Sequence, residues 1–312
     1  MKARILILTF LFLTEFAFSQ NAAGQQFSLP QIPDTLKTVE ARFHYVVKNY
    51  WECFTFTDTS FLKIDKRVLE EALVNYTDLL SRLPLDKSGQ YLRDFLQKTS
   101  SNATVQNYMN GLLRKYLVNY DSPLRNHELY IFVAEYLKGN ALDDITRYNA
   151  MQDAALLPLN PKGAIAADFP YMLPDKTISK LHNVSAKYTL LFFYTPGCAS
   201  CTYVTGQLKN SEIVGKMLQE GTLALLAICT QDDSPSWRRY LEEMPDSWLN
   251  GCDKGMQLTV EGVYDLRVPP VLYLLDTDKR ILLKDMPFAE IEQRLTLSQS
   301  SAAVSGSLSP ES

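Results

Sequence analysis

The sequence predicts two architectures in series, an all-α region followed by an α/β domain on a mixed central sheet. Three observations predict it. Only Gly24, Gly89, Gly111 and Gly139 of the thirteen glycines precede residue 160. Up to about residue 156, apolar residues recur at the three-to-four spacing of amphipathic helices. Beyond it, Tyr188–Tyr194 and Leu223–Cys229 are near-continuous apolar runs, the pattern of strands buried on both faces.

The first element is an address. Lys2 and Arg4 precede the apolar run Ile5–Leu13, and Ala17-Phe18-Ser19 supplies small residues at the −3 and −1 positions. Residues 1–19 therefore read as a secretory signal peptide with cleavage before Gln20. The competing reading is a retained N-terminal anchor, although a run of nine residues, all apolar but Thr9, is too short to span a bilayer. The all-α domain is expected over residues 20–157. Its helices carry Val68, Leu69, Leu73, Tyr76 and Leu80; then Tyr91, Leu92, Phe95 and Leu96; then Val105, Met109, Leu112, Leu113 and Tyr116; then Leu129, Phe132 and Tyr136. A last helix is expected over residues 143–156, for about six in all. Pro84, Pro123 and Gly139 mark connections.

The linker is expected at Leu157-Pro158-Leu159-Asn160-Pro161-Lys162-Gly163, and the α/β domain over residues 158–297. A helical stretch at 198–220 joins the two apolar runs into a βαβ unit. Ser234-Pro235 reads as the N-cap and first position of a further helix. Val271–Leu275 and Ile281–Lys284, separated by Asp276-Thr277-Asp278-Lys279-Arg280, predict an antiparallel hairpin. Ala289–Leu295 predicts a closing helix. The Ser- and Ala-rich remainder, residues 298–312, is expected to be disordered.

Composition narrows the function. A hydrophobic fraction of 46% and a charged fraction of 21% describe a globular chain. Beyond residue 19 there are 29 basic and 34 acidic side chains, which disfavours a nucleic-acid binder. No later segment approaches twenty apolar residues, so no membrane span is expected in the mature chain. The cysteines are Cys53, Cys198, Cys201, Cys229 and Cys252. They are too few for a disulfide scaffold and odd in number, which in an exported chain suggests thiol chemistry.

The informative segment is Phe192-Phe193-Tyr194-Thr195-Pro196-Gly197-Cys198-Ala199-Ser200-Cys201. A buried strand runs into a tight turn, and Cys-x-x-Cys opens the next helix. Cys198 then sits by unpaired backbone N–H groups at the positive end of the helix dipole, and both favour the thiolate. The thiolate is the species that attacks a disulfide, and Cys201, one turn on, is placed to resolve the mixed disulfide. Val268-Pro269-Pro270-Val271 belongs with this pair. Proline is compatible with the first position of a strand, and an X-Pro bond is the one peptide bond for which cis is readily accessible.

Together these features resemble the TlpA/ResA-like thioredoxin domain, over residues 163–295. The Gly163-Ala164-Ile165-Ala166-Ala167-Asp168-Phe169 entry, the cysteine pair, Pro270 and the Tyr273-Leu274-Leu275-Asp276 strand carry the resemblance. The first half is similar to a helical domain of unknown function that precedes thioredoxin in some Gram-negative envelope proteins. That likeness rests on Arg42-x-x-Tyr45, Tyr50-Trp51-x-x-Phe54-x-Phe56-x-Asp58-Thr59 and Asn160-Pro161-Lys162-Gly163. The resemblance implies a thioredoxin-like fold and a disulfide-exchange site, with Cys198 as nucleophile, Cys201 as resolving thiol and a cis-Pro270 beside them. Pro196, Gly197 and Pro269 would line the substrate. It implies no chemistry for the helical half. The implied partners are protein thiols and disulfides and an envelope redox partner, with no organic cofactor and no metal. The implied location is the periplasm or cell envelope.

Departures from the family pattern bear on this reading. Gly197 stands where thioredoxins usually have Trp, and Val204 where TlpA/ResA-like reductases often have Glu. Pro269 precedes the expected cis-proline, where Ile, Val or Thr is usual, and it removes one backbone N–H. These departures keep a second class open, a redox-inactive binding or scaffold protein on the same fold. A permanent Cys198–Cys201 disulfide is the structural alternative. A zinc site would need two more ligands, and the sequence has no second Cys-x-x-Cys. Cys229 and Cys252 read equally as a second disulfide or as two buried thiols. Cys252 is expected on a neighbouring edge strand. Cys53, beside Trp51 and Phe54, is expected to be packed. His44, His127 and His182 are expected at the surface or at caps. Spacing does not set the direction of exchange.

Overall fold

The computed structural model describes residues 27–56, 64–119 and 122–306. The expected signal segment, Asp58 and Thr59 lie outside them. By packing, the chain forms two compact units, one ending at Tyr76 and the other beginning at Thr77. The change from helices to sheet comes instead at the segment after residue 157.

In the first unit, helix α1 (Val39–Lys48) is capped by Thr38, whose hydroxyl accepts the Ala41 N–H at 3.1 Å. Its core is aromatic. Trp51 lies 5.2 Å from Phe27, 5.4 Å from Phe56 and 5.8 Å from Tyr76 between ring centroids, and Tyr50 lies 5.1 Å from Tyr76. The aromatic residues that carry the helical-domain resemblance are thus packing residues. Cys53 is exposed, which corrects the expectation that it is packed: Trp51 and Phe54 are buried, and the residues beside Cys53 take up the core instead.

Helix α2 (Lys66–Ser81) contains the boundary between the units. The second unit continues through α3 (Leu85–Thr99), α4 (Ala103–Leu117), α5 (His127–Asn140) and α6 (Asp144–Leu156). The last three begin at side-chain caps. Asn102, Asn126 and Asp143 accept the N–H of Val105, Leu129 and Thr146 at 2.9, 3.0 and 2.8 Å, each satisfying a donor the helix cannot. Most of the apolar stripes read from the sequence are buried faces, with Leu92, Phe95, Leu96, Val105, Met109 and Leu113 at their centre. Val68 is exposed, and on α5 Phe132 and Tyr136 are half-buried while Leu129, Tyr130, Val133 and Leu137 carry the core.

The linker is pinned. Asn160, in the left-handed region at φ 49°, which Asn tolerates better than most residues, donates to the Val263 carbonyl at 2.8 Å and accepts the Ala167 N–H at 2.9 Å. The Lys284 ammonium donates to the carbonyls of Leu157, at 2.6 Å, and Leu159.

The α/β domain carries strands β1 (Pro170–Met172), β2 (Ile178–Lys180), β3 (Tyr188–Tyr194), β4 (Leu223–Cys229), β5 (Leu249–Cys252), β6 (Val271–Leu275) and β7 (Ile281–Lys284). Their order in the sheet is β2-β1-β5-β4-β3-β6-β7. β3, β4 and β5 are mutually parallel, and the other pairs are antiparallel, so the sheet is mixed as expected. β5 is not an edge strand, because β1 pairs with its far side at Met172↔Cys252. The short β1–β2 hairpin that covers it gave no period-2 signal. The stretch expected as one helix is two, α7 (Ala199–Asn210) and α8 (Glu212–Gln219). They break at Ser211, which caps α8 and donates to Glu292 at 2.6 Å. α9 (Pro235–Leu241), the short α10 (Gln257–Val260) and α11 (Phe288–Gly306) complete the domain. α11 runs past Ser298, where a disordered tail was expected. The hydroxyls of Thr296, Ser298 and Ser300 bond back to carbonyls of the preceding turn, and Leu295 is fully buried.

Alternation along β3 and β4 builds two cores. Leu190, Phe192, Tyr194, Leu225, Ala227 and Cys229 face α7, α8, α9 and α11. Leu191, Phe193, Leu226 and Ile228 face Phe169, Leu258, Tyr264 and Tyr273. With both faces covered, β3 and β4 are apolar at every position except the fully buried Thr189.

Charges tie α4–α6 to this domain. Asp153, whose side chain is 1% exposed, accepts from Arg267 at 2.8 Å and from Arg114. Asp285 accepts from Arg125 at 2.5 Å, with His127 at 3.2 Å. Burial, then the Arg125 charge, pushes the His127 imidazole down to about 4. His127 is a half-buried neighbour of an ion pair rather than an open surface residue. Asp153→Ala leaves two guanidinium groups without their shared carboxylate. We expect it to destabilise the chain by about 2–3 kcal/mol, read as a lower urea midpoint.

Candidate active site

Antiparallel pairing of β3 with β6 assembles the site. The register Phe193↔Val271 brings the turn leaving β3 beside the turn entering β6, although Cys201 and Pro270 are 69 residues apart. Leaving β3, Thr195-Pro196-Gly197-Cys198 closes with the Cys198 N–H on the Thr195 carbonyl at 3.2 Å. Gly197 takes φ +80°, a conformation glycine adopts without penalty.

Cys198 is the N-cap of α7. Its sulfur accepts the Cys201 N–H at 3.3 Å. The cysteine thus does the work usually left to Ser, Asp or Asn, and its sulfur meets the N–H groups and dipole of the helix start. On the other side, the same sulfur lies 3.8 Å from the Pro269 carbonyl oxygen. The Pro269–Pro270 bond is cis, as expected. Pro196, Gly197, Cys198, Pro269 and Pro270 are therefore one cluster.

Cys201 faces inward and is fully buried. Burial first, then the hydrogen bond with Cys198, pushes its thiol up to about 12. Val204, at the position where the resemblance would place Glu, is fully buried in the same core. Cys229 and Cys252 are buried free thiols opposite one another in the β4–β5 register, so the structure holds them as thiols rather than as a bridge. Burial pushes each of them up to about 12. Asp168 accepts the His182 N–H at 3.0 Å, and the His182 ring meets the Ala166 carbonyl at 2.8 Å; both hold the domain entry in place.

Sequence reasoning missed the pair that buttresses the turn. Thr195 and Thr230 share a hydroxyl–hydroxyl hydrogen bond of 2.8 Å, and the Thr230 N–H donates to the Tyr194 carbonyl at 2.9 Å. A signal existed. Each threonine directly follows a seven-residue, near-continuous apolar run, and parallel pairing of equal runs puts the two side by side. Arg267, two residues before Pro269, was also missed. It holds Asp265 at 2.7 Å as well as Asp153, and its anchoring to α6 is a long-range contact without a local pattern.

Burial sets the order of thiol reactivity, because the thiolate is the nucleophile and needs access. In the reduced protein near pH 7.5, we expect iodoacetamide to label Cys198 at least about tenfold faster than Cys201, by peptide mapping.

Residues 13–157 match a family described as a domain of unknown function, DUF5106. A thioredoxin-like protein of known structure from Bacteroides caccae is 33% identical, with a TM-score of 0.77, and the match covers 88% of this chain and 99% of that one. The C-terminal domain of an uncharacterized protein from Bacteroides fragilis is 34% identical over 44% of this chain and 98% of its own, with a TM-score of 0.43. A domain of a possible thiol-disulfide isomerase from Cytophaga hutchinsonii is 25% identical over 46% of this chain and 97% of its own, with a TM-score of 0.40. No curated protein matches the chain. A shared sequence and fold running through both the helical and the sheet regions of the Bacteroides caccae protein place this chain among the thioredoxin-like proteins, with a DUF5106 region ahead of its α/β domain.

Proposed function

We propose that the protein is an exported thiol–disulfide oxidoreductase of the TlpA/ResA-like kind, acting on protein or peptide disulfides. One observation carries the reading: the Cys198 sulfur caps α7, accepts the Cys201 N–H, and is half-buried beside the Pro269 carbonyl. In the exchange, the Cys198 thiolate attacks one sulfur of a substrate disulfide. A Cys198–substrate disulfide forms, and the other substrate sulfur leaves as a thiolate. Cys201 then attacks Cys198, gives up its proton and releases the second substrate thiol, leaving a Cys198–Cys201 disulfide. The high Cys201 pKa keeps that thiol protonated until the second step. Pro196, Gly197, Pro269 and Pro270 line the substrate, and no organic cofactor or metal enters the scheme.

Export rests on the residue 1–19 pattern, which lies outside the described residues, and it points to the periplasm or cell envelope with an envelope redox partner. No helix among the described residues is long and apolar enough to cross a membrane. A binding role without turnover is favoured by one observation. Val204 fills with hydrocarbon a position where an acid would help deprotonate Cys201.

Two experiments test these readings. Cys201→Ser should accumulate a mixed disulfide with a disulfide-bonded model peptide, visible on a non-reducing gel, and Cys198→Ser should form none. If neither variant traps the peptide, the binding reading stands instead. Pro269→Ile restores a backbone N–H facing an extended substrate. We expect exchange with model peptides to rise about threefold or more, about 0.6 kcal/mol or more of added substrate binding. An unchanged rate would show that Pro269 does not limit peptide binding.

A further inference from the structure

Three of the five cysteines are buried in one place. Tyr194, Cys229, Cys252 and Met172 form a row across β3, β4, β5 and β1, each opposite the next in the register. All four side chains lie in the core on the α7 face of the sheet, and Cys201 lies in the same core. Cys201 lies in the first turn of α7, the helix that follows β3, and Cys229 is the register neighbour of Tyr194 at the end of β3. Negative charge on Cys229 would oppose deprotonation of both Cys201 and Cys252, its neighbours in this core. Neighbouring strands run about 4.8 Å apart, within the Cα separation of roughly 4.4–6.8 Å that a disulfide accepts. Cys198, Cys201, Cys229 and Cys252 thus lead from the half-buried rim of the site to the buried C-terminal ends of β4 and β5.

We propose that Cys229 and Cys252 are a second, internal dithiol couple, oxidised by the Cys198–Cys201 disulfide rather than by solvent. The proposal rests on the exchange reading of Cys198 and Cys201 and goes beyond it, because it gives the oxidised site a protein-borne reductant. Cys229, deprotonated, attacks the Cys201 sulfur, forming a Cys201–Cys229 disulfide and releasing Cys198 as a thiolate. Cys252, deprotonated, then attacks Cys229, forming the Cys229–Cys252 disulfide and releasing Cys201. Two electrons pass from the inner pair to the outer pair, and the protons lost by Cys229 and Cys252 are those taken up by Cys198 and Cys201. The first oxidising equivalent comes from an external disulfide, so two turnovers leave the protein carrying two disulfides. The inner cysteines are 0% exposed, so Cys198 is their route to solvent.

The test counts thiols in the full-length chain incubated with excess oxidised glutathione, then unfolded, alkylated and mapped for linked peptides. The wild type should lose four thiols to internal disulfides and yield a Cys229–Cys252 linked peptide. Cys252→Ser should lose two. In Cys198→Ser, the Cys229–Cys252 link should form at least about tenfold more slowly, because its route is cut. A wild type that loses two thiols, with only a Cys198–Cys201 link, overturns the inner couple and leaves the exchange reading standing. Loss of no thiols to internal disulfides overturns both. An inner link that forms equally fast in Cys198→Ser overturns the relay.

Discussion

Backbone pairing between β3 and β6 is the constraint on which the site depends. β3 delivers the cysteine turn at its C-terminal end, and β6 begins at the cis proline pair. Because the two run antiparallel in the register Phe193↔Val271, the end of one meets the start of the other. Displacing that register by one residue would turn Phe193 and Val271 out of the core they share with Tyr264 and Tyr273. The apolar content of the strands therefore fixes the 3.8 Å approach of the Cys198 sulfur to the Pro269 carbonyl. The active-site geometry is a consequence of core packing some distance below it.

The parallel partner of β3 adds the second support. β4 matches β3 residue for residue, so Thr230 follows Cys229 as Thr195 follows Tyr194, and the two hydroxyls bond across the strand ends. The turn carrying Cys198 is held from both sides, by β6 through the proline segment and by β4 through the threonines. Helices α4–α6 reach the same region. Asp153 of α6 holds Arg267, two residues ahead of Pro269, and Arg267 in turn holds Asp265. A buried carboxylate needs compensating cations, and here the compensation joins the helical region to the segment that enters the site.

Much of this was legible along the chain. The two apolar runs, the hairpin and the helices announced themselves by period. The Cys-x-x-Cys at a strand-to-helix turn and the proline pair before a strand were recognisable because each is a local arrangement. The failures share a cause. β1 and β2 are three residues each, too short for a period. Ser211 splits a helix by capping the next one and meeting Glu292, a partner 81 residues away. Cys53 looked packed because its neighbours are aromatic, yet adjacent residues point in different directions and only the fold decides which face is inside. The Ser- and Ala-rich end read as loose, but Leu295 and the back-bonded hydroxyls keep it helical to Gly306.

What the sequence alone determined is the order of elements and the chemical type of the residues at the turn, since both are written in local spacing and in the restricted dihedrals of Gly and Pro. What the tertiary structure decided is company. It put Pro269 against Cys198, paired Thr195 with Thr230, buried Cys201 deeply enough to raise its thiol to about 12, and set Cys229 opposite Cys252 beneath it. These depend on strand register and burial, which arise from contacts between residues far apart in the chain, and no local pattern encodes them.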